Sequence, residues 1–204
     1  MPITRRALMT TALPTFSLFA FTSRVKADEP FSNFSSIRAL GNLKAGVHVQ
    51  EWFSITCAHC ADFAQKTLPA IKKDYIDTGK VYYIFRDFPL DRVALAAAIV
   101  ARSLPIEQYE PFVMVLLQNL EKWVFADGVD PMAELKKYAI LAGMSPDRFQ
   151  QVIQDKSLEN IIMNEVKTAS EQYKINSTPT FVFNEKPHVG ELSFEDFGKL
   201  VGQA

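Results

Sequence analysis

Val81-Tyr-Tyr-Ile-Phe85 is a near-continuous run of apolar β-formers, the pattern of a strand buried on both faces. Upstream, Gly46 to Ser54 reads as a second strand, with Val47, Val49, Trp52 and Phe53 in partial alternation. Between the two, Phe63, Thr67, Leu68, Ile71 and Tyr75 recur at helical spacing, while Lys66, Lys72, Lys73 and Asp74 form a solvated face. Pro69 is expected to kink that helix, and Thr78-Gly79 to end it. The opening is therefore β-α-β, and both cysteines of the chain, Cys57 and Cys60, fall at its strand-to-helix turn.

A long helical stretch follows. Asp91 to Leu104 is Ala-rich, and Pro111 to Trp123 reads as another helix. Asp130-Pro131 supplies an N-cap and first helical position, with Gly143 as the stop, and Ser145-Pro146 repeats the start signal. Ser157 is expected to open a helix running to about Tyr173. Strand character returns at Thr180 to Asn184; a turn at Glu185 to Pro187 leads to a hairpin partner at Val189 to Leu192. Ser193 caps a last helix, with Asp196 at the capping-box position. An α/β core carrying a helical insertion accounts for this order. With 204 residues, 48% of them apolar and sixteen of them Phe, a sizeable core is available.

Residues 1–27 read as a secretory signal peptide. Arg5 and Arg6 precede a mostly apolar stretch from Ala7 to Thr22, and Val25-Lys26-Ala27 is a small-x-small cleavage site ahead of Asp28. The alternative is an uncleaved anchor, but the apolar stretch is short and broken by Thr10, Thr11 and Pro14. Cleavage removes four positive charges (Arg5, Arg6, Arg24, Lys26) and no negative ones, so the net charge of −1 becomes −5. A mildly acidic surface without basic clusters argues against nucleic acid or anionic lipid as a partner. Export implies an oxidising compartment, where disulfides persist.

Cys57 and Cys60 stand at i and i+3, so their sulfurs can meet on one helical turn. Cys57 falls where free backbone N–H groups and the helix dipole stabilise a thiolate, the attacking species in disulfide exchange. Cys60, one turn in, is expected to be more buried and to resolve mixed disulfides. Haem attachment needs His after the second Cys, and residue 61 is Ala. Zinc needs four ligands, and the remaining histidines, His48 and His188, lack ligand spacing. A purely structural disulfide gains little from so short a loop. A redox-active pair, without metal or organic cofactor, is the favoured reading. His59 is either an exposed helix-start residue or a donor of a hydrogen bond or charge to the Cys57 thiolate. Each unit by which a thiol pKa falls corresponds to about 1.4 kcal/mol, or about 30 mV in a two-electron couple, in favour of the reduced form.

EWFSITCAHC, the helical insertion and STPTFVF together resemble the DsbA-type thiol:disulfide oxidoreductases, over about residues 37–202. The resemblance implies a thioredoxin-like fold with an inserted all-helical domain: residues 28–90 and 165–204 form the thioredoxin-like part and 91–164 the insertion. It implies Cys57 as nucleophile, Cys60 as its buried partner, and Thr178-Pro179 as the segment whose cis-proline faces the disulfide. Glu51, six residues before Cys57, matches a buried acid that shuttles a proton to Cys60; its bland alternative is a strand-edge charge. Two departures are Ala58, where the family more often has Pro, and Thr178, where it more often has an aliphatic residue. The expectation is a periplasmic oxidase that gives its disulfide to unfolded exported proteins with free thiols and is reoxidised by a DsbB-like membrane quinone reductase. Only about ten residues separate Asp28 from the start of the fold, too few for an isomerase's dimerisation domain, so a monomer is expected. The alternatives are a disulfide isomerase or reductase, and a non-catalytic chaperone-like binding module.

Overall fold

The computed structural model describes residues 34–204; the expected signal peptide lies outside them. Strands β1 (Arg38–Leu40), β2 (Val47–Phe53), β3 (Val81–Asp87), β4 (Thr180–Phe183) and β5 (Lys186–Val189) form one sheet in the order β1-β3-β2-β4-β5. β2 and β3 run parallel, and the crossover between them carries α1 (Ala58–Lys66) and α2 (Leu68–Ile71), as the β-α-β reading requires. The crossover helix breaks at Thr67, because Pro69 offers no N–H to continue the ladder; a π-type turn at Lys72–Ile76 follows. The three central strands are largely buried, with Val81, Tyr83, Phe181 and Val49 fully enclosed.

Five further helices follow β3: α3 (Arg92–Arg102), α4 (Ile106–Gln118), α5 (Pro131–Leu141), α6 (Pro146–Gln154) and α7 (Lys156–Tyr173). The last helix, α8 (Phe194–Val201), closes the chain. The expected caps hold: the Asp130 carboxylate accepts from the Met132 and Ala133 amides, Ser145 from Arg148, and Ser193 from Asp196. One core cluster joins a face of the sheet to α1 and α3–α6 and includes the enclosed Trp123, whose indole N–H donates to the Leu116 carbonyl at 2.8 Å. The other face is covered by α7 through Trp52, Phe88, Ala169, Ile175 and Val182.

Three local expectations are corrected. Helix α4 starts at Ile106 rather than Pro111; Pro111 lies inside it on an exposed position, where the missing N–H leaves a carbonyl that water can satisfy. Asp155, not Ser157, caps α7, because its carboxylate accepts from the Ser157 amide at 2.8 Å. The hairpin is tighter than expected: Asn184 and Glu185, both at positive φ, make a two-residue turn, so Lys186–Val189 pairs with β4. β1 is additional, a three-residue strand too short to carry a period. Helix α7 runs without a break across positions 164 and 165.

Candidate active site

Cys57 is the N-cap of α1, with extended backbone angles, and no side-chain hydrogen bond caps the helix. Its sulfur occupies the place where a capping oxygen usually sits, facing N–H groups that have no intrahelical partner. The turn is held from below: the Cys57 amide donates to the Ser54 carbonyl at 3.1 Å. The Thr56 hydroxyl donates to Asp91 at 2.6 Å, and Asp91 in turn caps α3 through the Ala94 amide at 2.8 Å. The first helix of the insertion thus anchors the turn that presents the cysteines.

Cys57 is half-buried and Cys60 fully buried, both as thiols. The Cys60 thiol, which donates a hydrogen bond to the Cys57 sulfur, is the largest cause of a Cys57 pKa pulled down to about 5. Burial opposes that shift; Thr178 and the backbone N–H groups of Cys60 and His59 add to it. Cys60 moves the other way, far above the ordinary thiol range, through burial first and then its bond to Cys57 and the charge of Glu51. One thiol ionises readily and its partner holds its proton, the division of labour expected from their positions.

The Thr178–Pro179 bond is cis. The Cys57 thiol donates to the Thr178 carbonyl at 3.4 Å, while the Thr178 hydroxyl is buried without a partner. When Cys57 ionises, that hydroxyl is a ready donor to the thiolate. The Pro179 carbonyl is taken by the Gly190 amide at 2.8 Å, which ties the loop to the end of β5.

Glu51 lies at the centre of the sheet, with Phe85 and Phe181 as its register neighbours on either side. It is 3% exposed, so the strand-edge alternative does not describe it. Burial raises its pKa to about 7; a hydrogen bond from the Tyr83 hydroxyl at 2.7 Å restrains the rise, and the nearby Cys57 charge adds to it. In the sequence Tyr83 reads only as a β-former. The available signal was its polar tip in a strand buried on both faces, which demands an acceptor inside the core. The His59 imidazole, by contrast, turns outward to Glu191 at 3.4 Å with its side chain 76% exposed; what reaches the Cys57 sulfur from His59 is its backbone N–H. Among the described residues, no cluster of three or more His, Cys, Asp or Glu side chains could hold a metal ion.

A vicinal dithiol at the N-terminus of the first helix, opposite a cis-proline and above a buried acid, defines a thioredoxin-fold dithiol centre. The profile of the family described as Thioredoxin matches residues 35–203. In solved structures, Wolbachia pipientis alpha-DsbA1 superposes with a TM-score of 0.75 at 31% identity, covering 83% of this chain and 90% of that one. The chain therefore belongs to the thioredoxin family, among its DsbA-type thiol:disulfide oxidoreductases. Two curated relatives, each named "Putative protein-disulfide oxidoreductase", are 37% identical (Rickettsia typhi, 71% of this chain and 53% of the relative) and 35% identical (Rickettsia felis, 81% and 59%). The chain thus spans somewhat over half the length of these relatives.

Proposed function

We propose that this protein is a periplasmic thiol:disulfide oxidase that passes its Cys57–Cys60 disulfide to exported proteins still holding free thiols. The observation that carries this reading is the setting of Cys57: it is the N-cap of α1, its thiol lies 3.4 Å from the Thr178 carbonyl beside the cis-proline, and the backbone N–H groups of His59 and Cys60 and the Cys60 thiol act on its sulfur, so its pKa is held well down, to about 5. A thiolate that is comfortable at neutral pH favours the reduced pair, and a pair that prefers to be reduced gives its disulfide away.

A substrate thiolate attacks the Cys57 sulfur of the oxidised pair. A new S–S bond forms to Cys57, the Cys57–Cys60 bond breaks, and Cys60 departs with the electron pair. Cys60 then needs a proton, and the neutral carboxyl of Glu51, available up to about pH 7, is the nearby acid whose charge state is felt at that sulfur. A second thiolate of the substrate attacks its own sulfur in the mixed disulfide and expels Cys57 as the thiolate. The substrate has lost two electrons and the pair has gained them. Thr178 faces Cys57 through both steps, with its carbonyl toward the thiol and its hydroxyl toward the thiolate. Reoxidation by a DsbB-like membrane quinone reductase follows from the family likeness. Among the described residues no helix is long and apolar enough to cross a membrane.

The test is to mix the oxidised protein with a reduced, unfolded dithiol substrate and follow disulfide formation. The expected result is stoichiometric oxidation of the substrate, lost completely in Cys57→Ser. Equilibration with glutathione reports direction: a poise near that of thioredoxin, about −270 mV, would sink the oxidase reading in favour of a reductase. Activity that survives Cys57→Ser would point to a non-catalytic binding module.

A further inference from the structure

β3 brings against Glu51 a titratable side chain that the exchange steps leave unused. Glu51 pairs in register with Phe85, and Tyr83 stands two positions before Phe85, so both side chains leave the sheet on the same face. The Tyr83 hydroxyl donates to the Glu51 carboxylate at 2.7 Å, and the tyrosine is fully buried. Its ring packs edge-on to Phe85, with centroids 5.3 Å apart, which fixes where the hydroxyl points.

Among the described residues this is the one hydrogen bond that the Glu51 side chain receives, and no cation pairs with it. Asp87, buried at the end of the same strand, is the contrast. It accepts from the Tyr109 hydroxyl at 3.0 Å and also from the Arg102 guanidinium, a full positive charge. A cation commits a buried carboxylate to its ionised form, whereas a lone hydroxyl favours that form only modestly. Tyr83 keeps its own proton: burial first, then the charge of Glu51 and the bond to it, hold the hydroxyl well above the usual tyrosine range. The other titratable groups facing Glu51 are Cys57 and Cys60 at the start of α1; β4 contributes Phe181, which does not titrate.

We propose that Tyr83 is a positioning residue of the dithiol centre: its hydroxyl holds the Glu51 carboxyl in place and sets the pH above which Glu51 no longer delivers a proton to Cys60. This rests on the reading above that Glu51 is the acid for Cys60. When Cys60 leaves with the electron pair of the broken S–S bond, the Glu51 proton passes to it. The Tyr83 hydroxyl, its own proton retained, then bonds the carboxylate left behind. Without the hydroxyl that carboxylate has no donor, so the neutral acid persists to higher pH.

The oxidised protein isolates the effect, because its cysteines are joined and Tyr83 is the titratable group left facing Glu51 among the described residues. In a sample carrying ¹³C at the glutamate carboxyls, with Glu51→Gln identifying the signal, Tyr83→Phe should raise the Glu51 midpoint by about one pH unit. Reduction of the pair by dithiothreitol gives the second readout, each variant's rate being divided by the parent's at the same pH. Tyr83→Phe should be ahead by up to about tenfold above the parent's Glu51 midpoint, with the gain closing as pH falls below it. Glu51→Gln should lag below that midpoint and draw level above it. An unmoved or lowered Glu51 midpoint in Tyr83→Phe, or a rate ratio independent of pH, overturns the proposal, while the pH-dependent lag of Glu51→Gln would still identify Glu51 as the acid. A Glu51→Gln rate equal to the parent's at every pH removes Glu51 as the acid and overturns the proposal with it. Should Tyr83→Phe fail to fold, replacing tyrosine by 3-fluorotyrosine, whose hydroxyl is the stronger donor, decides: the Glu51 midpoint should fall, and one that stays or rises overturns the proposal.

Discussion

At the scale of single residues, the Cys57 thiolate has three sources of support that substitutions can separate. The largest is the Cys60 thiol, so Cys60→Ala should raise the Cys57 pKa from about 5 well toward the ordinary thiol range. His59 acts on the sulfur through its backbone, which any residue would supply, so His59→Ala should move it far less. Thiolate absorbance against pH measures both; equal shifts in the two variants would mean that the imidazole matters as much as the Cys60 bond. Glu51 makes a separate prediction about stability. Its folded pKa is raised from 4.5 to about 7, so the folded state keeps a proton that the unfolded chain releases in that window. Its contribution to stability is therefore intact below about pH 4.5 and is lost as pH rises through about 7. Glu51→Gln, neutral at every pH, should stabilise the reduced protein at pH 8.5 and make no difference at pH 4.5, read from urea midpoints. A gain at both pH values would mean the carboxyl is not titrating in this window. These residues were unevenly legible. The cysteines announce themselves by type and spacing, Glu51 only through its place before them, and Tyr83 not at all, because a tyrosine within an apolar strand looks like any other β-former until its partner two strand positions away is known.

Between elements, the insertion is bolted to the sheet by a buried ionic knot that no local pattern discloses. Arg102 of α3 donates through Nε to Asp87 at the end of β3, at 2.5 Å, and through its terminal nitrogens to Glu165 of α7. Tyr109 of α4 donates to the other Asp87 oxygen at 3.0 Å, and Arg38 of β1 reaches the Arg102 carbonyl at 3.0 Å. Burial works against the Arg102 charge, yet Asp87 and Glu165 outweigh it and hold the guanidinium more firmly protonated than usual. Five elements meet here, and their members lie up to 127 residues apart (Arg38 to Glu165). Periodicity and caps report on neighbours in sequence, which is why the helices, and the starts of α5, α6 and α8, could be read while this contact could not. The same limit explains β1 and the hairpin register, both fixed by partners rather than by their own residues. Arg102→Ala leaves Asp87 buried without its cation, and removing one member of such a pair costs on the order of 3–5 kcal/mol. Chemical denaturation should show that loss; a change below about 1 kcal/mol, the range of an exposed ion pair, would mean water reaches Asp87.

For the molecule as a whole, the lowered Cys57 pKa predicts that the site inverts the usual sign of a disulfide's effect on stability. A disulfide ordinarily stabilises by restricting the unfolded chain, but one closing the short segment from Cys57 to Cys60 restricts it little. Against that small gain stands the thiolate, which exists only in the reduced protein. Its folded pKa is lowered from 9.0 to about 5, so the folded reduced state gains stability that is complete above about pH 9 and is lost as pH falls through about 5. Reduction should therefore raise the denaturation midpoint at pH 7, the same preference for the reduced form that drives disulfide donation. The difference between the two redox forms should shrink steadily from pH 7 to pH 4.5, because protonating Cys57 removes its source. Replacing Cys60 with Ala in the reduced protein should flatten the pH dependence of that form, since the largest support of the thiolate is gone. Urea titrations of the oxidised and reduced protein at pH 4.5, 7 and 8.5 decide the matter: an oxidised form that is the more stable at pH 7 and above would show that the Cys57 thiolate does not govern the stability of this fold, and with it the direction in which the pair moves electrons.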